Sequence, residues 1–257
     1  MQKLDNMLDF DLQRASKTEK LVLVDDWVNG SIVATPTNTP KLAYVAYDLI
    51  STTPSLVGGL FKENYLRSLY NLSLESLRTL ERNQENYASD FENLQAKLNF
   101  YVGFFAKLLF EMTGEKEIGE TGFTSLRKSA KISSKFKPMK SAVAINMGAD
   151  IAQRFFEKGS KIDSWGNNWY DGREQAALVV LEINPKYSGH SFGFAGHAAK
   201  EISRRSDRKR RTEWRSKGVD SYKRAIDILE EFKTEREVSG LIKMLTRELE
   251  FLSTFRQ

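Results

Sequence analysis

The chain has 257 residues, 40% of them hydrophobic and 28% charged, a balance that fits one large or two small globular domains and excludes a mostly disordered polymer. It contains no cysteine, which rules out disulfides, zinc fingers, iron–sulfur clusters and cysteine nucleophiles. The net charge of +5 hides a gradient: residues 1–120 hold 12 basic against 17 acidic side chains, residues 121–224 hold 22 against 10, and residues 225–257 hold 5 against 7. An asymmetry of this size points to a polyanionic partner, or to copies of the chain meeting through opposite charges.

The opening residues "MQKLDNMLDFDLQR" carry acids where a secretory signal has its apolar core, so secretion by a signal peptide is not expected. Residues 20–46 read as extended. Two β-rich runs flank Asn29-Gly30, the dipeptide that best tolerates the positive φ angles of a hairpin turn, and "KLAYVAY" (41–47) offers a third strand. The expected fold is mainly α, a helical single domain with this small N-terminal β element. It divides into an extended or β segment over 1–57 and a helical core over 58–257.

From residue 60 the apolar period lengthens. Leu66, Leu69, Tyr70, Leu74, Leu77 and Leu80 recur at helical spacing, and a second helix runs from about 84 to 112. Its stretch "LNFYVGFFAKLLF" (98–110) is the longest apolar run. It is too short for a bilayer, which takes roughly 20 residues, so no transmembrane segment is expected. Residues 113–140, "TGEKEIGETGFTSLRKSAKISSKFKPMK", read as a long basic loop, and 141–159 as a helix. "SKIDSWGNNWYDG" (160–172) reads as a turn-rich loop, "REQAALVVLEIN" (173–184) suits either a helix or a buried strand, and glycine-rich "PKYSGHSFGFAGH" (185–197) reads as irregular. A basic helix over 200–217 and two amphipathic helices, broken near Ser239-Gly240, complete the chain.

The basic helix carries the main functional signal. Nine cations (Lys200, Arg204, Arg205, Arg208, Lys209, Arg210, Arg211, Arg215 and Lys217) face three acids, Glu201, Asp207 and Glu213. On a continuous helix Arg204, Arg208, Arg211 and Arg215 form one row, with Arg205 and Lys209 on its flank. Guanidinium groups about 5–6 Å apart suit successive phosphates, which they bind bidentately. The 113–140 segment adds Arg127, Lys128, Lys131, Lys135, Lys137 and Lys140, with no acid from Thr121 through Ala149. Interleaved Phe123 and Phe136 fit an arm that orders along a phosphate backbone, so that the two segments would wall one groove. Trp165, Trp169 and Tyr170 would stack on bases if exposed and pin their own loop if buried.

The leading expectation is therefore a nucleic-acid-binding protein. It grips the phosphate backbone largely without regard to sequence, needs no metal or other cofactor, and takes a packaging or nucleocapsid-like role through self-association. It would reside in the cytoplasm, the nucleus or a virus particle. Two alternatives stand beside it. Asp163 or Asp171, an apolar run, Glu182 and Lys186 resemble the PD-(D/E)XK nuclease signature over about 24 residues, with Asn184 where that signature has its lysine. The resemblance implies a Mg²⁺-dependent nuclease whose carboxylates sit beside and within a strand. The third reading is a structural shell or matrix protein with a basic face.

Overall fold

The computed structural model describes residues 15–53, 62–159 and 162–254, and among them every regular element is helical. By its internal contacts the chain separates into two compact units, one ending at Ile132 and the other beginning at Ser133.

The first unit contains α1 (Lys17–Val28), α2 (Thr39–Thr52), α3 (Glu63–Arg82), α4 (Phe91–Thr113) and α5 (Lys116–Ser133). The expected hairpin is corrected here: its first two strands are α1 and the loop after it, and its third lies in α2. Ser16 and Glu19 form a capping box that starts α1, with the Glu19 amide donating to Ser16 Oγ at 3.3 Å and the Ser16 amide donating to Glu19 Oε2 at 2.7 Å. Asn29 ends the helix and Gly30 follows at φ +85°, so Asn-Gly terminates a helix instead of turning a hairpin. In α2 the buried set Leu42, Ala43, Val45, Ala46, Leu49 and Ile50 has helical spacing, and Pro40 sits in the first turn, where its missing N–H costs nothing. The remainder of the expected 1–57 segment, residues 1–14 and 54–57, lies outside the described residues.

α4 is the centre of this unit, with Leu98, Val102, Phe105, Ala106, Leu109 and Phe110 fully buried. α5 replaces the loop expected from 113 onward. Its inner face is Ile118, Gly122, Ser125, Leu126, Ser129, Ala130 and Ser133, a helical stripe built mostly from small residues. Those side chains let α5 approach α4 closely: Ser129 Oγ donates to the Ala96 carbonyl at 2.8 Å, and a Cβ on Gly103 would overlap the Leu126 side chain.

The second unit contains α6 (Pro138–Glu157), α7 (Ile162–Val180), α8 (Pro185–Arg205), α9 (Arg208–Leu229) and α10 (Arg236–Thr254), each packed on the next in sequence. The loop expected over 160–172 and the irregular segment expected over 185–197 are thus helices α7 and α8. Their glycines are contact points: a Cβ on Gly196 would lie 2.5 Å from the Tyr222 ring of α9, and one on Gly189 would lie 2.7 Å from Leu229. The break expected near Ser239-Gly240 falls earlier, at a 3₁₀ turn over Glu230–Phe232, and both residues lie inside α10. Phe192, Tyr222, Ala225, Leu229, Val238, Leu245 and Leu252 form the core where α8, α9 and α10 meet. A polar cluster lies between α6, α7 and α8. There Arg173, buried, donates to Asn146 Oδ1 at 3.0 Å and pairs with Asp150, while Asn146 donates to the Tyr187 hydroxyl at 2.6 Å. No helix among the described residues is long and apolar enough to cross a membrane.

Candidate nucleic-acid interface

The cationic block is not one helix. α8 ends at Arg205, Ser206 is extended, and Asp207 starts α9 by accepting the Arg210 amide at 3.0 Å. Ser and Asp compete with helical hydrogen bonding and favour caps, so this dipeptide breaks a run that charge periodicity alone reads as continuous. The single row Arg204–Arg208–Arg211–Arg215 is therefore corrected to two short arrays on two helices.

The two arrays sit at helix ends of opposite polarity. Arg204 and Arg205 occupy the last turn of α8, where the helix dipole favours cations. Arg208, Lys209, Arg210 and Arg211 occupy the first turn of α9, where it opposes them, and no acid lies in that turn. The Asp207 cap and Asp163, which pairs with Arg210, partly offset this concentration.

Arg204, Arg211 and Arg215 nevertheless converge. Together with Lys200, Ser203, Phe251 and Leu252 they line a cleft of about 220 Å³ within the second unit, and no carboxylate is among its lining residues. Arg211 and Arg215 reach it from successive turns of α9, Arg204 from the end of α8, and Phe251 from α10. Behind the lining, Lys200 pairs with Glu248, and Arg204 Nη1 meets Glu201 Oε1 at 2.6 Å. Ser203 Oγ donates to the Lys200 carbonyl at 2.7 Å, and Arg211 Nη2 donates to the Ser206 carbonyl at 3.2 Å. The Lys200 ammonium and the Arg204 guanidinium stand 5.5 and 5.9 Å from the Phe251 ring centroid, a ring 42% exposed.

The other cations of the block divide between engaged and outward-facing groups. Arg205 turns onto α6, donating to the Phe156 carbonyl at 2.9 Å with its guanidinium 4.6 Å over the Phe156 ring. Arg210 pairs with Asp163, and Lys217 meets Glu213 at 3.1 Å. Arg208 and Lys209 are exposed, and neither has a carboxylate at ion-pair distance among the described residues. Counting three local acids against nine cations overlooked Asp163 on α7 and Glu248 on α10, distant in sequence and adjacent in space.

The second basic segment is split between the units. Arg127, Lys128 and Lys131 lie exposed on α5, in the first. Lys135, Lys137 and Lys140 are exposed in the second, on the turn into α6 and its first turn. The Arg127 guanidinium stands 5.7 Å from the half-buried Phe123 ring, and Lys137 Nζ 5.8 Å from the exposed Phe136 ring. The tryptophan segment is packed inward: Trp165 stacks on Phe155 at 4.2 Å, Trp169 is buried against Phe156 and His197, and Tyr170 is buried against Trp214.

The nuclease pattern loses its strand. Asp163 and Asp171 lie on α7, eight residues and therefore about 12 Å apart along the axis, while Glu182 sits in the α7–α8 turn. Lys186, in the first turn of α8, pairs with Glu235. Local desolvation raises the Asp171 carboxyl above its ordinary value, with Lys217 opposing. Among the described residues no three His, Cys, Asp or Glu side chains gather as metal ligands. Comparison with protein-family models, curated proteins and solved structures returns no match to this chain.

Phe251 escaped the sequence reading, because it joins the site from α10, far along the chain. Its only local signal is an aromatic residue on the outer face of an amphipathic helix.

Proposed function

We propose that this protein binds nucleic acid through its phosphate backbone at the α8–α9 corner. The observation that carries the reading is the cleft, where Arg204, Arg211 and Arg215 converge from two helices beside Lys200, with Glu201 and Glu248 holding Arg204 and Lys200 from behind. Arginine forks hold phosphate oxygens in pairs, and phosphate contacts carry no base information, so recognition is largely independent of sequence. The first turn of α9 supports the same reading. Four cations at a helix N-terminus repel one another and the dipole, and a bound polyanion relieves both. The exposed cations of α5 and of the turn into α6 supply further phosphate contacts on their own units.

The test is fluorescence anisotropy with a labelled mixed-sequence oligonucleotide across a salt series. Log affinity should fall linearly with log salt, by roughly 0.7 to 0.9 per phosphate neutralised. Arg211→Glu with Arg215→Glu should weaken binding at least about tenfold and flatten that slope by about two phosphates. Circular dichroism confirms that the double variant folds, and Arg208→Glu with Lys209→Glu, both at exposed sites, gives a second variant. No binding at low salt by the native chain, or wild-type affinity and slope in both double variants, overturns the reading.

A further inference from the structure

The geometry points to single-stranded nucleic acid as the form this cleft takes, with a phosphate held by Arg204, Arg211 and Arg215 and the adjoining base stacked on Phe251. This inference rests on the phosphate reading above and adds the class of strand. Three observations support it.

The cations converge into a concavity of about 220 Å³, smaller than the roughly 300–1,000 Å³ of sites that engulf a drug-sized ligand. Such a space admits a phosphate and one edge of its nucleotide. A duplex is stiff over about 150 base pairs, presents its phosphates on a convex surface and keeps its base faces stacked inside. A single strand bends at each nucleotide and can turn one phosphate inward while a base lies beside it.

An aromatic ring lines the same cleft. Phe251 is a large apolar side chain left substantially exposed, one position before buried Leu252. An exposed ring at the edge of a cationic cleft is the arrangement that accepts a base of any identity, since every base has a π face. The two cations near the ring extend the platform, because a guanidinium plane also stacks on a base.

The platform is held in place. Leu252 packs into the α8–α9–α10 core, and a Cβ on Gly218 of α9 would lie 2.8 Å from it, so α10 is seated closely on α9 at this level. Lys200, buried and paired with Glu248 of α10, ties the same turn to α8. The ring is thus positioned by contacts made before any ligand arrives.

Three probes of one sequence test this: a single strand, its duplex, and a single strand of abasic sugar-phosphate. The native chain should bind the single strand at least about tenfold more tightly than the other two. Phe251→Leu keeps apolar bulk without a π face and should lose about 5- to 100-fold on the single strand, with little change on the abasic strand. Phe251→Tyr should keep most of the affinity. Equal affinity for single strand and duplex, or a Phe251→Leu variant with unchanged single-strand affinity, overturns the inference. If Arg211→Glu with Arg215→Glu still weakens every probe in that case, the phosphate reading survives. If no probe binds, both fall together.

Discussion

The two units handle positive charge differently. The first holds 15 basic against 17 acidic residues and pairs its cations both between and within elements: Lys20 of α1 reaches Asp48 of α2 at 2.6 Å, Arg67 is clasped by Glu63 one turn away and by Glu115, and Lys107 meets Glu111 one turn on at 2.7 Å. The second holds 24 against 17. It also pairs many cations, Arg204 and Arg210 at the α8–α9 corner included, yet Arg208 and Lys209 there are exposed and have no carboxylate at ion-pair distance among the described residues. The contrast teaches that a count of charges is a weak signal. The informative observation is the place where partners are missing although the fold had carboxylates to offer.

The largest test of the contrast concerns burial. Asp150→Ala strands the Arg173 guanidinium among α6, α7 and α8 and should cost about 3 kcal/mol in urea denaturation. Glu115→Ala removes an exposed partner and leaves Arg67 with Glu63, so its cost should stay below about 1 kcal/mol. Equal losses would mean that the buried and exposed pairs are energetically alike.

The corner itself is tested by two changes of opposite sign. Asp207→Ala deletes the cap of α9 and the nearest acid to its first turn, and should destabilise by about 1 kcal/mol. Arg208→Glu puts an acid where the dipole favours one and should stabilise the free protein by about 0.5 kcal/mol while weakening nucleic-acid binding. Thermal melts and anisotropy on the same samples check both. A destabilised Arg208→Glu variant would show that the cation serves the fold rather than a ligand.

The mainly helical class was legible wherever large apolar residues carried the period, as in α3 and α4. It was hidden wherever small residues did. The buried stripe of α5 is mostly Gly, Ser and Ala, which a hydrophobic pattern does not register, and α8 buries Gly189, Gly193 and Gly196 against neighbouring side chains. Glycine signals a break in the local sequence but serves close helix approach in the fold, and Asn29-Gly30 fits a hairpin turn locally yet ends a helix. The cationic signal at 200–217 was legible from composition. Its division into two helices and its meeting with Phe251 were not, since both depend on the Ser206–Asp207 joint and on α10.

That joint has a consequence for the chain's length. Ser206 and Asp207 are extended, so one residue added between them would lengthen the joint by up to about 3.5 Å and either displace α9 against α8 or loop out of the joint. The first outcome moves Arg211 and Arg215 away from Arg204, and the second works against the close packing of α9 on α8. The joint therefore tolerates an exchange of side chains more readily than an insertion or deletion, and its spacing is as much a part of the site as the arginines it aims.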